Sequence, residues 1–182
     1  MAIDLFFDTM EQLTPQLRAG DLIGCESGAI DALLKLPESP FHIVAKLAIS
    51  NDPSDAARHF DAFYKAESER FEVKAVYTEM NGFDINANRW FCDLFAFAED
   101  GGLEDVDWLC EWQSESFDDY TILGLEELQE VYDSEAFRDP SNRDASYLCS
   151  IVVVTKFQRF MQRAVAQMTE LRSPLYLSLI HI

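Results

Sequence analysis

Residues 89–112 read RWFCDLFAFAEDGGLEDVDWLCEW, and the fold turns on how this stretch is paired. It holds all three tryptophans of the chain (Trp90, Trp108, Trp112), two of the four cysteines and seven acidic residues. Side chains two apart along a strand share a face. Trp90, Cys92, Leu94 and Ala96 therefore fall on one side, and Phe91, Asp93, Phe95 and Phe97 on the other. A strand that is apolar on both sides suits the interior of a sheet, so Arg89–Ala98 is expected as a central strand. Beyond Glu99-Asp100-Gly101-Gly102, the residues Val106, Trp108, Cys110 and Trp112 alternate with Asp107, Leu109 and Glu111. Asp105–Ser114 is thus expected to return as a hairpin strand with one wet face. The pattern leaves the register open: a slip of one residue exchanges Cys92 for Asp93 as the neighbour of Cys110. Two roles for the tryptophans also stay open, sheet core or the lining of a ligand or partner site, since an indole joins an apolar body to one polar handle.

Working outward, Phe71–Met80 (FEVKAVYTEM) reads as a preceding strand, closed by the turn pair Asn81-Gly82. Asn51-Asp52-Pro53-Ser54-Asp55 is the clearest helix start in the chain, offering a cap, an early proline and early acids. That helix is expected to reach Glu69, with Ala56, Phe60, Phe63 and Tyr64 inward. Phe41–Ser50 (FHIVAKLAIS) is rich in strand formers and is expected as the first strand. Before it, the spacing of Ile3, Phe6, Phe7, Met10 and Leu13 predicts a helix over 3–13. Thr14-Pro15 opens a further turn ending at Gly20, and Ser27 caps a helix over Gly28–Leu36. After the hairpin come a helix at Leu125–Ala136 and a long one at Asp144–Arg172, with Leu148, Ile151, Phe157 and Met161 on its apolar stripe. The order implies an α+β fold: a mostly antiparallel sheet of about four strands, a β-α-β-β-β core, covered by the N- and C-terminal helices.

Residues 1–176 are expected to form one domain. Leu177-Ser-Leu-Ile-His-Ile182 is what the DNA string CTGTCTCTTATACACATC reads in one frame. That string is a transposon-end adapter of sequencing libraries, so the segment is expected to be an adapter-derived tail on a truncated fragment; the plainer reading is a genuine short C-terminal strand.

Fourteen phenylalanines in 182 residues argue against disorder. The N-terminus MAIDLFFDTMEQL lacks a basic region ahead of its apolar residues, so no secretory signal is expected, and no apolar run approaches a membrane span. Cys25, Cys92, Cys110 and Cys149 have neither C-x-x-C nor zinc-ligand spacing. They are expected as reduced thiols in a cytoplasmic, bacterial protein.

Motifs for chemistry are weak. Asp84-Ile-Asn86-Ala-Asn88 opens like a calcium loop but has Arg89 where the turn needs glycine and Phe95 where a bidentate Glu belongs. Gly24-Cys25-Glu26-Ser27-Gly28 is not a nucleophile elbow, although Cys25 with His42 or His59 could form a thiol dyad in space. Glu104, Asp105 and Asp107 could join Asp93 or Glu111 around a divalent metal, but clustered acids on a hairpin are more often a solvated face. No metal or cofactor is therefore expected. Nothing resembles a phosphate-binding glycine loop or a basic, aromatic-studded nucleic-acid surface.

Charge is the strongest signal. Net charge is −19, and Glu99–Asp139 carries fifteen acids against Arg138 alone. Such a block repels nucleic-acid phosphates and attracts basic proteins over distance; the plainer reading is solubility or adaptation to salt. The expected function is that of an acidic interaction module binding a basic protein partner, as an immunity or antitoxin-type inhibitor covers a basic cleft. Glu104, Asp105, Asp107, Glu111, Glu115, Asp118 and Asp119 would supply the charge, with Trp108, Trp112 and Tyr120 as anchors. The alternative is an enzyme or small-ligand binder with a pocket between sheet and terminal helices, using Cys25, His42 or His59.

Overall fold

Phe91–Phe97 is a strand (β2), as its alternation requires, and it lies inside the sheet. In the computed structural model, which describes residues 2–83, 85–104 and 106–179, β2 pairs antiparallel with β1 (Ala75–Asn81) from Ala75↔Phe97 to Asn81↔Phe91. Its other neighbour is not Asp105–Ser114. The short strand β3 (Tyr120–Thr121) pairs antiparallel with Cys92 and Phe91. The fourth strand, β4 (Leu175–Leu179), runs parallel to β1 from Val76↔Leu175 to Met80↔Leu179. The sheet is thus mixed but mostly antiparallel, in the order β3-β2-β1-β4. The expected tail begins inside β4, and Ile180–Ile182 lie outside the described residues.

The helices are α1 (Ala2–Arg18), α2 (Leu22–Leu33), α3 (Pro53–Ser68), α4 (Glu126–Asp133), α5 (Glu135–Arg138) and α6 (Arg143–Val165). The class is α+β, with helices gathered towards both ends of the chain. No helix among the described residues is long and apolar enough to cross a membrane. α6 is the centre of the helical layer and packs against α1, α2, α3 and the 3₁₀ turn at Pro40–Ala45. It is buried on most sides: Leu148, Val152, Val153, Phe157, Phe160 and Met161 are fully enclosed. A helix apolar nearly all round belongs inside. The sheet turns Val76, Met80, Cys92, Leu94 and Ala96 towards this layer, in one core with α3 and α6.

Several local expectations are corrected. Phe41–Ser50 is not a strand: Pro40–Ala45 is a 3₁₀ helix, started by Ser39 and His42 in a reciprocal capping pair. Phe41 and Val44, three apart, are its buried residues. α1 runs through Pro15, and the Thr14 hydroxyl donates to the Met10 carbonyl (2.8 Å) within the same turn. α2 starts at Asp21, whose carboxylate accepts from Gly24 N (2.9 Å), rather than at Ser27. α6 stops at Val165 instead of Arg172. Asp61 on α3 accepts from Thr169 N (2.7 Å), Glu170 N (3.0 Å) and Leu171 N (3.1 Å), so it captures the amides a longer helix would use. By contrast α3 begins as expected, with Asp52 accepting from Ser54 N at 2.9 Å.

The largest correction concerns the expected hairpin. Asp107–Cys110 is a 3₁₀ turn, not a strand. Gly102 has φ +71° and turns the chain, and the Trp108 indole N–H donates to the Gly102 carbonyl (3.0 Å). The ring lies so close to Gly101 that an added Cβ would fall 2.3 Å from it. Acidic residues fit a ladder poorly, and here they ride on a loop. Gln113 N still donates to the Ala96 carbonyl (3.0 Å) and the Ser114 hydroxyl accepts from Ala96 N (3.1 Å), so the chain does return along β2, but later than its alternation suggests.

Candidate interaction surface

Whereas Glu115 and Phe117 turn back to Arg70 and to Phe63 of α3, Trp108 and Trp112 pack on the sheet face opposite the helices. That face is made of directly paired residues: Tyr77 with Phe95, Glu79 with Asp93 and Asn81 with Phe91. All six are half-buried. At one end Trp108 packs edge-on to Phe97 (4.7 Å between centroids) and Tyr176 (5.5 Å). The Tyr176 hydroxyl donates to Asp100 (2.7 Å). In the middle Trp112, 51% exposed, stands edge-on to Phe95 (5.4 Å), and Tyr77 lies against the same ring (5.8 Å). At the far end the Arg89 guanidinium sits 4.5 Å from the Phe91 centroid and forms a two-pronged ion pair with Asp119. The face therefore grades from aromatic to charged.

Glu79 and Asp93 stand opposite each other on adjacent strands, an arrangement that like charges make unfavourable. Glu79 accepts from the Tyr77 hydroxyl (2.9 Å), and Asp93 accepts from the Asn81 amide. Burial, and then the charges of Glu79 and Asp119, push the Asp93 carboxyl above the usual range, against the pull of Arg89 and Asn81.

The ten residues expected to meet a partner divide into groups. Glu104, Asp107, Glu111, Glu115 and Asp118 are exposed along the loop, while Asp105 lies outside the described residues. Glu115 also pairs with Arg70 (3.1 Å), and Asp119 is held by Arg89. Trp108 is turned inward as described. Tyr120 stacks on Phe160 (6.3 Å), and burial raises its hydroxyl pKa. Of the three anchors, Trp112 is the most open. Trp90, the remaining tryptophan, is fully buried among Phe83 and Tyr132. Tyr77, Glu79, Phe91 and Phe95 were not expected at a site. Their signal is the alternation of Tyr77 and Glu79 with the buried Val76, Thr78 and Met80, readable once β1 and β2 are in register.

The residues of the alternative site are dispersed. Cys25 is buried on α2, its thiol donating to the Leu13 carbonyl (3.8 Å), and burial raises its pKa. His42 bonds Ser39. His59, on α3, is boxed by Phe60, Phe117 and Tyr120. Burial lowers the His59 pKa, opposed by a backbone hydrogen bond with Asp118 and by the charges of Asp118 and Asp119. A cleft of about 700 Å³ is lined by Tyr64, Phe71, Lys74, Arg172 and Ser173, and one of about 220 Å³ by Asp21, Ile23, Arg159 and Arg163. Neither contains Cys25, His42 or His59. Asp84, the first residue of the calcium-like loop, lies outside the described residues. Among those described, no three His, Cys, Asp or Glu side chains are grouped to hold a metal ion.

Searches of protein-family models, of curated proteins and of solved structures each give no match to this chain.

Proposed function

We propose that the protein is an acidic interaction module that binds a basic protein partner through the outer sheet face and the loop across it, in the manner of an inhibitor that covers a basic surface. The observation that carries this reading is the face itself. Tyr77, Phe95 and the exposed Trp112 supply apolar contact, the opposed Glu79 and Asp93 lie alongside, and Glu104, Asp107 and Glu111 are exposed on the loop that carries Trp112. Aromatic anchors inside a charged rim are the usual anatomy of a protein interface. The rim steers a basic partner, and steering of this kind raises association rates by about 10- to 1,000-fold at low salt.

The test is capture from the source organism, followed by association kinetics with the purified captured protein at two salt concentrations. Binding should be saturable and its association rate should fall with salt. Replacing Glu104, Asp107, Glu111 and Glu115 by Gln or Asn should slow association by about tenfold and flatten the salt dependence. Binding that ignores both salt and the four replacements would refute the proposal.

A further inference from the structure

Residues 115–119 form a strap between two firm ends. Before it, Gln113 and Ser114 bond Ala96 of β2, and after it β3 pairs with Cys92 and Phe91. Between those points the strap clips to one face of α3, where His59, Phe63 and Glu67 follow one another at four-residue spacing. At one end of that stripe the buried Glu67 carboxylate accepts from Glu115 N (3.3 Å), and Arg70 pairs with Glu115. At the other end the Phe117 ring lies edge-on to Phe63 (5.4 Å) and to His59 (5.3 Å). The His59 ring is boxed by Phe60, Phe117 and Tyr120 and hydrogen-bonds the Asp118 backbone. Its Nε2 is enclosed, with no hydrogen-bond partner among the described residues. We propose that His59 is a catch operated by pH: when its ring takes up a proton, residues 115–119 come away from α3 while β2, β3 and α3 keep their places.

The catch goes beyond the interaction reading and does not depend on it. A proton on Nε2 makes a buried donor without an acceptor, which is costly. Relief comes from the strap side. Phe60 lies in the core and Tyr120 is held in β3 and stacked on Phe160, whereas Phe117 is 36% exposed. The charged groups around the ring are few. α3 presents Asp55 and Arg58, paired with each other, and the strap presents Asp118 and Asp119, the latter held by Arg89. β3 adds the Tyr120 hydroxyl, and α6 meets Tyr120 through Phe160 while its Lys156 and Arg159 are engaged with Glu26. Asp118 and Asp119 favour a charged ring, but burial outweighs them and holds the imidazole below its ordinary 6.5. Opening the strap removes that burial, so the open form binds the proton more tightly and acid drives the opening. With the imidazole at 6.5 once released, the open form gains at most about thirtyfold between about pH 7.5 and pH 5. Opening uncovers Phe63, which is otherwise fully enclosed.

Backbone hydrogen exchange of the full chain, followed by NMR between about pH 7.5 and pH 5 and divided by the intrinsic rate at each pH, reads this opening. The Glu115 amide, bonded to Glu67 when the strap is closed, should lose protection by about tenfold or more across this range. Amides of α3 and β2 should keep theirs. His59→Gln and His59→Phe should each make the protection of Glu115 independent of pH, the second variant keeping a ring in the box. Asp93→Asn removes the raised carboxyl of the outer sheet face and should leave the dependence intact, which separates the imidazole from the nearest other group that titrates upward. Thermal melts confirm that the variants fold. Protection of Glu115 that does not change with pH would overturn the catch. So would a loss that persists in both His59 variants, or one shared equally by α3 and β2.

Discussion

Replacing Glu26 should cost the fold more than replacing any residue of the acidic loop. Glu26 on α2 faces Lys156 and Arg159 on α6, with Lys156 Nζ 2.8 Å from one carboxylate oxygen and Arg159 on the other. The Glu26 and Lys156 side chains are only 12% and 8% exposed, whereas Arg159, at 38%, reaches water. Burial alone would raise the Glu26 pKa, but the two cations more than offset it and hold the carboxyl below the usual range. Glu26→Leu leaves the Lys156 ammonium desolvated and without its carboxylate, a change worth about 3–5 kcal/mol. Lys156→Leu is milder, because Arg159 still balances Glu26. The double replacement should recover most of the loss, since an apolar pair of similar volume often matches a buried ion pair. Urea unfolding at neutral pH of the four proteins in this cycle measures the coupling. A coupling below about 1 kcal/mol, the range of exposed pairs, would refute the claim that this contact is buried and cooperative. The pH signature has a fixed sign. A carboxyl lowered in the folded state contributes stability above its unfolded value, near 4.5, and that contribution is lost as pH falls through the lower folded value. The Leu variant lacks this loss.

The cysteines and His59 give two further outcomes. Cys110 is exposed and should alkylate in the native protein, whereas Cys25, Cys92 and Cys149 are buried and should react only on unfolding; burial pushes the Cys149 thiol up to about 12. Native-state labelling with mass spectrometry reads this directly, and rapid labelling of Cys92 would contradict its place in β2. His59 is depressed below its ordinary 6.5 by burial, so below that pH the unfolded chain takes up a proton that the native state resists, and stability should fall as pH drops. His59→Gln should show a shallower decline between pH 7 and its folded value in paired melts, and an unchanged slope would refute the assignment.

What the sequence made legible follows from how each signal is coded. β2 was readable because its alternation buries Cys92, Leu94 and Ala96 on one side, and α3 because Asp52 and Pro53 mark its start in four residues. The end of α6 was not, since it is decided by Asp61, over a hundred residues away, and no local pattern records a distant acceptor. Phe41–Ala45 misled because a short apolar run has no period long enough to separate a turn of helix from a strand. The outer face was hidden for a related reason: Glu79 and Asp93 become neighbours only through the register of β1 with β2.

The same register explains why the acidic run lies where it does. A helix packed over the outer face would have to bury Glu79 and Asp93 together, and burying two like charges costs far more than the apolar contact of Tyr77 and Phe95 returns. The face is instead covered piecemeal. Trp108 closes its apolar end over Phe97, in a loop bent by Gly101 and Gly102, and its charged end is left to Arg89, Asp119 and solvent. A loop in that position can be densely acidic, since its carboxylates point to water and need no ladder partners. Charge that would disrupt a hairpin strand is carried on a loop instead, beside a sheet face whose aromatic contacts remain open at Trp112.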